Sequence, residues 1–140
     1  MPLVDTNILV YRYDPRDSLK QQRAVELLRT GAEVGDLRLT HQVILEFVAV
    51  VSRPKTVYGV RRPLLEPAEI RREVDELLAT FPMLYPSEEI LRLALHGQAS
   101  YQLSWFDAHL WAHAEFYGIT VLLSEDFQHG RRYGHVLVVD

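Results

Sequence analysis

Leu3-Val4-Asp5-Thr6-Asn7-Ile8-Leu9-Val10-Tyr11 decides the fold of this chain. A short apolar run is interrupted by one carboxylate and two small polar residues, then resumes. The pattern predicts a buried strand, Leu3-Val4, that turns at Asp5 into a short helix over Thr6 to Tyr13. Asp, Thr and Asn suit such a turn, because their side-chain oxygens accept from the free N–H groups of a first helical turn. Taken alone, Asp5 reads as a helix cap. Three further acids in equally apolar surroundings give it a second reading.

Working outward, Asp14-Pro15-Arg16-Asp17 breaks the first helix. Ser18 is then the predicted cap of a helix to about Thr30, with Ala24, Leu27 and Leu28 on its apolar side. Gly31 and Gly35-Asp36 are its expected end, and Leu37 to Thr40 a short strand. From Val43 to Val51 every residue is apolar except Glu46. That run, after a Thr40 cap, predicts a helix from His41 to Ser52 buried nearly all round. A lone carboxylate there is costly unless paired, protonated or bound to a cation. A connector carrying Lys55, Tyr58, Arg61 and Arg62 leads to a helix from Pro67 to Thr80, whose stripe is Ile70, Val74, Leu77 and Leu78. Met83 to Tyr85 is a third strand. A helix from Pro86-Ser87 ends near Gly97, and an aromatic helix opens at Ser104-Trp105-Phe106-Asp107 and stops at Gly118. Thr120 to Leu123 and Val136 to Val139 complete the strands.

Short apolar strands alternating with helices predict an α/β fold: a parallel sheet of four to five strands covered by helices. Residues 1–140 form one domain. In such sheets the ligand site lies beyond the C-terminal strand ends, near the topological switch point.

The chain has no cysteine, so disulfide frameworks and zinc-thiolate sites are excluded, and any metal is held by oxygen or imidazole. Its formal net charge of −4 gives no whole-molecule attraction to nucleic acid. Lys20 and Lys55 are the only lysines. The excess of arginine is either a compositional preference or a supply of planar phosphate forks. No basic segment precedes the first acid and no apolar run is long enough to span a bilayer, so a cytoplasmic protein without a membrane is expected.

Asp5, Glu46, Asp107 and Asp126 stand in the four most apolar stretches. One reading is a shared acidic pocket at the C-terminal edge of the sheet, holding magnesium or manganese. The other makes Asp5, Asp107 and Asp126 helix caps and gives Glu46 a salt bridge, although no arginine lies close to it in sequence. Thr6, Asn7 and Ser124 suit either supporting groups around a metal or ordinary turn and cap residues. His109 and His113 have helical metal-ligand spacing but read as partly exposed residues beside the aromatic face. The loop His129-Gly130-Arg131-Arg132-Tyr133-Gly134 offers Arg131 and Arg132 either to substrate phosphates or to solvent.

In these motifs the chain resembles the PIN-domain ribonucleases, and among them the VapC-type toxins of toxin–antitoxin pairs. The resemblance rests on Val4-Asp5-Thr6-Asn7-Ile8-Leu9-Val10-Tyr11, on Glu46 in its apolar helix, on Trp105-Phe106-Asp107-Ala108, and on Leu123-Ser124-Glu125-Asp126-Phe127-Gln128-His129-Gly130-Arg131. It implies a Rossmann-like sheet and a Mg²⁺- or Mn²⁺-dependent endoribonuclease. Asp5, Glu46, Asp107 and Asp126 would be its metal-binding acids, with Glu125 as an alternative to the last. It also implies an RNA substrate, a homodimer and a small cognate antitoxin. Tyr58, Tyr101 and Tyr133 are then either exposed partner contacts or core or dimer contacts, and residues 18–30 and 87–97 are candidates for the dimer surface. Two other functions compete. A phosphatase of the haloacid-dehalogenase type needs a second Asp where Asn7 stands. A PIN-like binding module without catalysis sits poorly with four retained acids.

Overall fold

The computed structural model describes residues 1–125 and 130–139. The elements in chain order are β1 (Leu3–Val4), α1 (Thr6–Tyr11), α2 (Ser18–Val34), β2 (Leu39–Thr40), α3 (His41–Ser52), β3 (Lys55–Val57) and β4 (Val60–Arg62). There follow α4 (Pro67–Thr80), β5 (Met83–Leu84), α5 (Glu88–Tyr101), α6 (Trp105–Phe116), β6 (Val121–Leu123), β7 (Arg132–Tyr133) and β8 (Val136–Val139).

The main sheet has the order β1-β6-β8-β7. β1, β6 and β8 run parallel, in the register Leu3↔Leu122 and Leu122↔Val138, while β7 returns antiparallel on β8. On the other side of β1, Arg38 N–H donates to the Pro2 carbonyl at 3.0 Å and leads into the parallel pair β2–β5. The five strands read from the apolar runs are therefore all present and parallel. They are so apolar because Leu3, Val4, Leu39, Leu122, Val136 and Val138 are all buried. The chain leaves β1 first toward β2 and β5, then returns to β6 and β8 on the opposite side. The switch point lies between the C-terminal ends of β1 and β6.

Several boundaries differ from the sequence reading. Asp17, not Ser18, caps α2, accepting from Lys20 N–H at 3.1 Å. α2 continues past Gly31 to Val34 and ends at Gly35 in the left-handed conformation, φ 76°. Gly31 is there for packing: a Cβ on it would lie 2.1 Å from Leu37 Cδ1. α5 likewise runs through Gly97 to Tyr101, because Trp111 rests on the glycine, 2.4 Å from where a Cβ would be.

α3 is not buried all round. Val43, Ile44, Phe47 and Val51 face the core, but His41, Leu45, Ala49 and Ser52 form an exposed strip, with Leu45 58% exposed. The connector after α3 contains a hairpin, β3–β4, with Lys55 opposite Arg62 and Val57 opposite Val60. Its turn residues, Tyr58 and Gly59, both have positive φ (50° and 79°), which is the two-residue turn that matches strand twist. Part of the predicted 129–134 loop is β7. Tyr133 is buried and Tyr101 meets Trp111 and Tyr133 edge-on at 5.3 and 5.4 Å, so neither is an exposed partner contact. Among the described residues, no helix is long and apolar enough to cross a membrane.

Candidate active site

β1 delivers Asp5 to the switch point. Val4 ends the strand, and Asp5 takes extended backbone angles as the α1 N-cap. One carboxylate oxygen accepts from Thr6 N–H at 2.6 Å. The other accepts from the Ser124 hydroxyl at 2.5 Å, directly after β6. Asp5, Thr6 and Ser124 are all buried. The cap reading of Asp5 is therefore correct, but it accounts for only one of its two oxygens. The second reaches across the switch point to the neighbouring strand.

α3 supplies the next carboxylate. Thr40 caps this helix through Val43 N–H at 3.1 Å, which fixes its start against β2. Glu46 then lies about one and a half turns along and points to α1. Its Oε2 accepts from the Thr6 hydroxyl at 3.1 Å and its Oε1 from Gln42 Nε2 at 2.6 Å. No salt bridge to Glu46 forms among the described residues; two neutral donors hold it instead. Thr6 thus touches both acids, Asp5 through its backbone and Glu46 through its side chain.

Gln42 ties this pair to α6. Its Nε2 also donates to the Phe106 carbonyl at 2.9 Å, and its Oε1 accepts from His109 Nδ1. Asp107 follows Phe106 directly, in the first turn of α6, where its own N–H bonds the Ser104 hydroxyl at 3.3 Å. Ser104 is the cap there, not Asp107. α3 and α6 therefore meet at Phe106, next to Asp107, in the neighbourhood of Glu46. Gln42 and His109 were not read from the sequence as holding Glu46. Gln42 sits four residues before Glu46 on the same helix face, the spacing at which such pairs meet, and that signal was available.

His113 is fully buried rather than partly exposed, with Nδ1 bonded to the His109 carbonyl at 2.8 Å and Nε2 without a partner among the described residues. Burial pushes both imidazoles below their ordinary value; for His109 the Glu46 charge pulls the other way.

Asn7 is the second residue of α1 and half-buried. Arg131 and Arg132 are exposed at the far edge of the sheet. Arg131 lies over the Tyr133 ring, 4.6 Å from its centre. β7 is three strand spacings from β1, roughly 14 Å, so these arginines are not beside Asp5. Asp126 falls outside the described residues. Glu125 accepts from the Tyr11 hydroxyl and pairs with Lys20 at 3.4 Å. These three, with Ile8, Arg23 and Ser124, line a cleft of about 480 Å³ beside the switch point. Lys20, Arg23 and Tyr11 are site neighbours that the sequence did not single out.

The donor chemistry fits a hard divalent cation: Asp5 and Glu46 supply oxygen only, oriented by hydroxyl, amide and backbone donors. Among the described residues, however, no three His, Asp or Glu side chains are grouped so as to hold a metal.

A family model described as the PIN domain matches residues 3–134. The chain belongs to the PIN-domain family. No curated protein matches it significantly in sequence. Among solved structures it resembles a toxin–antitoxin complex from Klebsiella pneumoniae, with 17% identity over 98% of this chain and 96% of that one, and a TM-score of 0.69. VapBC2 from Rickettsia felis, bound to a DNA fragment from its promoter, gives 14% identity, coverage of 97% and 95%, and a TM-score of 0.69. The sarcin–ricin-loop-cleaving toxin VapC20 of Mycobacterium tuberculosis gives 14% identity, 87% coverage of both chains and a TM-score of 0.66. At these identities the likeness is one of fold.

Proposed function

We propose that this PIN domain is a metal-dependent endoribonuclease and the toxin of a toxin–antitoxin pair. The observation that carries the reading is the Ser124–Asp5–Thr6–Glu46 chain of hydrogen bonds across the β1/β6 switch point. Structural relatives described as toxins, one of them cleaving the sarcin–ricin loop, support the toxin role.

Asp5, Glu46 and Asp107, with Asp126, would hold Mg²⁺ or Mn²⁺. Such an ion supplies positive charge beside the phosphodiester and acidifies water for attack. The chain's own residues do the positioning. Ser124 and the Thr6 N–H fix both oxygens of Asp5. The Thr6 hydroxyl and Gln42 fix both oxygens of Glu46, so neither carboxylate spends rotamer freedom when a cation arrives. The cleft with Lys20 and Arg23 offers phosphate-binding cations next to these acids. A cognate antitoxin covers this region in the inhibited complex, and the toxin itself is a homodimer.

The test is incubation of labelled RNA and of small phosphoesters with the purified chain, in EDTA, Mg²⁺ or Mn²⁺. RNA cleavage that needs the cation is expected. Hydrolysis of phosphoesters alone would replace the ribonuclease by a phosphatase, and no hydrolysis of either would leave a binding module.

A further inference from the structure

Residues 47–65 contain no Asp or Glu, yet carry Arg53, Lys55, Arg61 and Arg62, in a chain whose net charge is −4. Some other surface arginines are matched locally: Arg16 by Asp14 at 2.7 Å, Arg29 by Glu33 at 3.1 Å and Arg92 by Glu88 at 3.4 Å. The exposed Arg23, Arg71, Arg131 and Arg132 join no ion pair among the described residues, but they are not gathered in one acid-free stretch with an exposed aromatic tip. Among the described residues, Arg53, Arg61 and Arg62 join no ion pair. Lys55 has a structural task, since its ammonium donates to the Val50 and Arg53 carbonyls and fastens β3 to the end of α3. Its pKa is lowered by burial first and then by Arg53 and Arg16, with Asp14 acting the other way.

β4 is exposed at all three residues, Val60, Arg61 and Arg62. A charge or two is enough to stop an edge strand from pairing with another chain. The hairpin tip needs more explanation. Tyr58 is 80% exposed and sits at φ 50°, where Asn or Gly is the ordinary occupant and a bulky side chain is disfavoured. Its hydroxyl donates to the Pro15 carbonyl at 3.0 Å, which holds the exposed ring in one place. A fixed, exposed ring at the tip of a hairpin whose strand carries Arg61 and Arg62, with Arg53 at its base donating Nε to the Ala49 carbonyl at 2.9 Å, combines a stacking platform with phosphate forks.

We propose that the β3–β4 hairpin is a single-stranded RNA-binding arm, in which Tyr58 stacks on a base while Arg53, Arg61 and Arg62 take neighbouring phosphates. The proposal rests on the ribonuclease reading for its ligand class and extends it to a contact outside the acidic site. Single-stranded RNA is favoured over an acidic peptide because the tip offers a free aromatic face, and over duplex because stacked bases present none.

The experiment is fluorescence anisotropy with a labelled, unstructured RNA in EDTA, between 50 and 200 mM KCl (conditions chosen from the known range of phosphate-driven salt dependence). Wild type is compared with Tyr58→Asn, which suits positive φ, and with Arg61→Gln/Arg62→Gln. Asn should weaken binding about tenfold, in line with the loss of one stacked base. The double variant should bind more weakly and flatten the plot of log K against log salt by about 1.4, two phosphate contacts at about 0.7 each. Affinity and salt slope unchanged in both variants would overturn the proposal. So would an unchanged Tyr58→Asn, or displacement of the RNA by polyglutamate at equal charge concentration, which would assign the arm to an acidic polypeptide. Hairpin-dependent binding in a chain that cleaves no RNA in Mg²⁺ would sustain the arm and reject the ribonuclease. Cleavage by a chain whose hairpin variants bind normally would do the reverse.

Discussion

Asp5 caps α1 and, in the proposed function, also holds the metal, and the two duties can be separated. Asn caps helices as well as Asp does. In Asp5→Asn, Oδ1 still accepts from Thr6, and the Ser124 hydroxyl can turn to accept from the new amide. The melting temperature in EDTA should therefore stay within a few degrees of wild type (about 1 kcal/mol), while metal-dependent RNA cleavage is lost. A variant that unfolds in EDTA, or that cuts normally, would return Asp5 to a cap. Gln42 is tested by Gln42→Met, which keeps length and removes both donors. Losing a partner of a ligating carboxylate typically costs 10- to 100-fold, so kcat/KM for RNA should fall by about tenfold or more. A Mg²⁺ titration should show the midpoint moving to higher concentration. The pH dependence belongs to His113, with His109 behind it. Both are held below the ordinary 6.5, chiefly by burial. The unfolded chain then binds protons that the folded chain refuses, so stability is full above about pH 6.5 and falls as the pH drops toward the lower folded values. His113→Leu fills similar space without a titrating group. It should lose less stability than wild type between pH 7.5 and 5, read from melting temperatures; superimposable profiles would remove His113 from the account.

At the scale of elements, the two glycines inside helices make the sharpest prediction. Gly→Ala in an exposed helix interior ordinarily stabilises by about 0.5–1 kcal/mol. Gly97→Ala should instead destabilise by about 1–3 kcal/mol, because its methyl would enter the Trp111 ring and Trp111 is buried. Urea midpoints of the two proteins decide it. The same two glycines show where the sequence was legible. Every helix and every parallel strand could be read from apolar periodicity and caps, since those are local. Gly31 and Gly97 looked like stops because a glycine needed for close approach looks, in one dimension, like a glycine needed for a turn. The β3–β4 hairpin and β7 escaped for the opposite reason: Lys55-Thr56-Val57 and Val60-Arg61-Arg62 are short, polar and edge-like, with no alternating pattern to find. α3 misled through its composition. Leu45 and Ala49 are apolar but exposed, and period alone cannot say that one side of an apolar helix lacks cover.

At the scale of the whole molecule, placement of the acids was only partly legible. Asp5 announced itself by ending a strand, and Glu46 by its cost in apolar company. That they share Thr6 depends on how α1 crosses α3, a packing fact with no trace in the order of residues. The position of Arg131 and Arg132 at the far edge of the sheet likewise follows from strand order, which separates them from Asp5 despite their nearness to Ser124 in sequence. Self-association is tested at this scale. α5 exposes Leu91 and Leu95 one turn apart, 45% and 52% exposed, within the stretch expected to form the dimer surface. Light scattering should give twice the chain mass for wild type and the monomer mass for Leu95→Glu. A wild-type monomer at high concentration would reject the dimer.

The pairing of β1 with β6 has a consequence in time. Leu3 and Val4 leave the ribosome well before their partners Leu122 and Leu123, which are more than a hundred residues behind them. Proteins are made from the N-terminus onward, so one flank of β1 waits open until residues 121–123 have been made, with only the β2 side able to form. Asp5 and Ser124 can meet only after residues 121–124 have been delivered. A chain halted before that point carries its first acid and its apolar helices but no assembled site. On the ribonuclease reading proposed above, in which the chain is translated from an RNA it could itself attack, this strand order delays the hazard until residues 121–124 have been made.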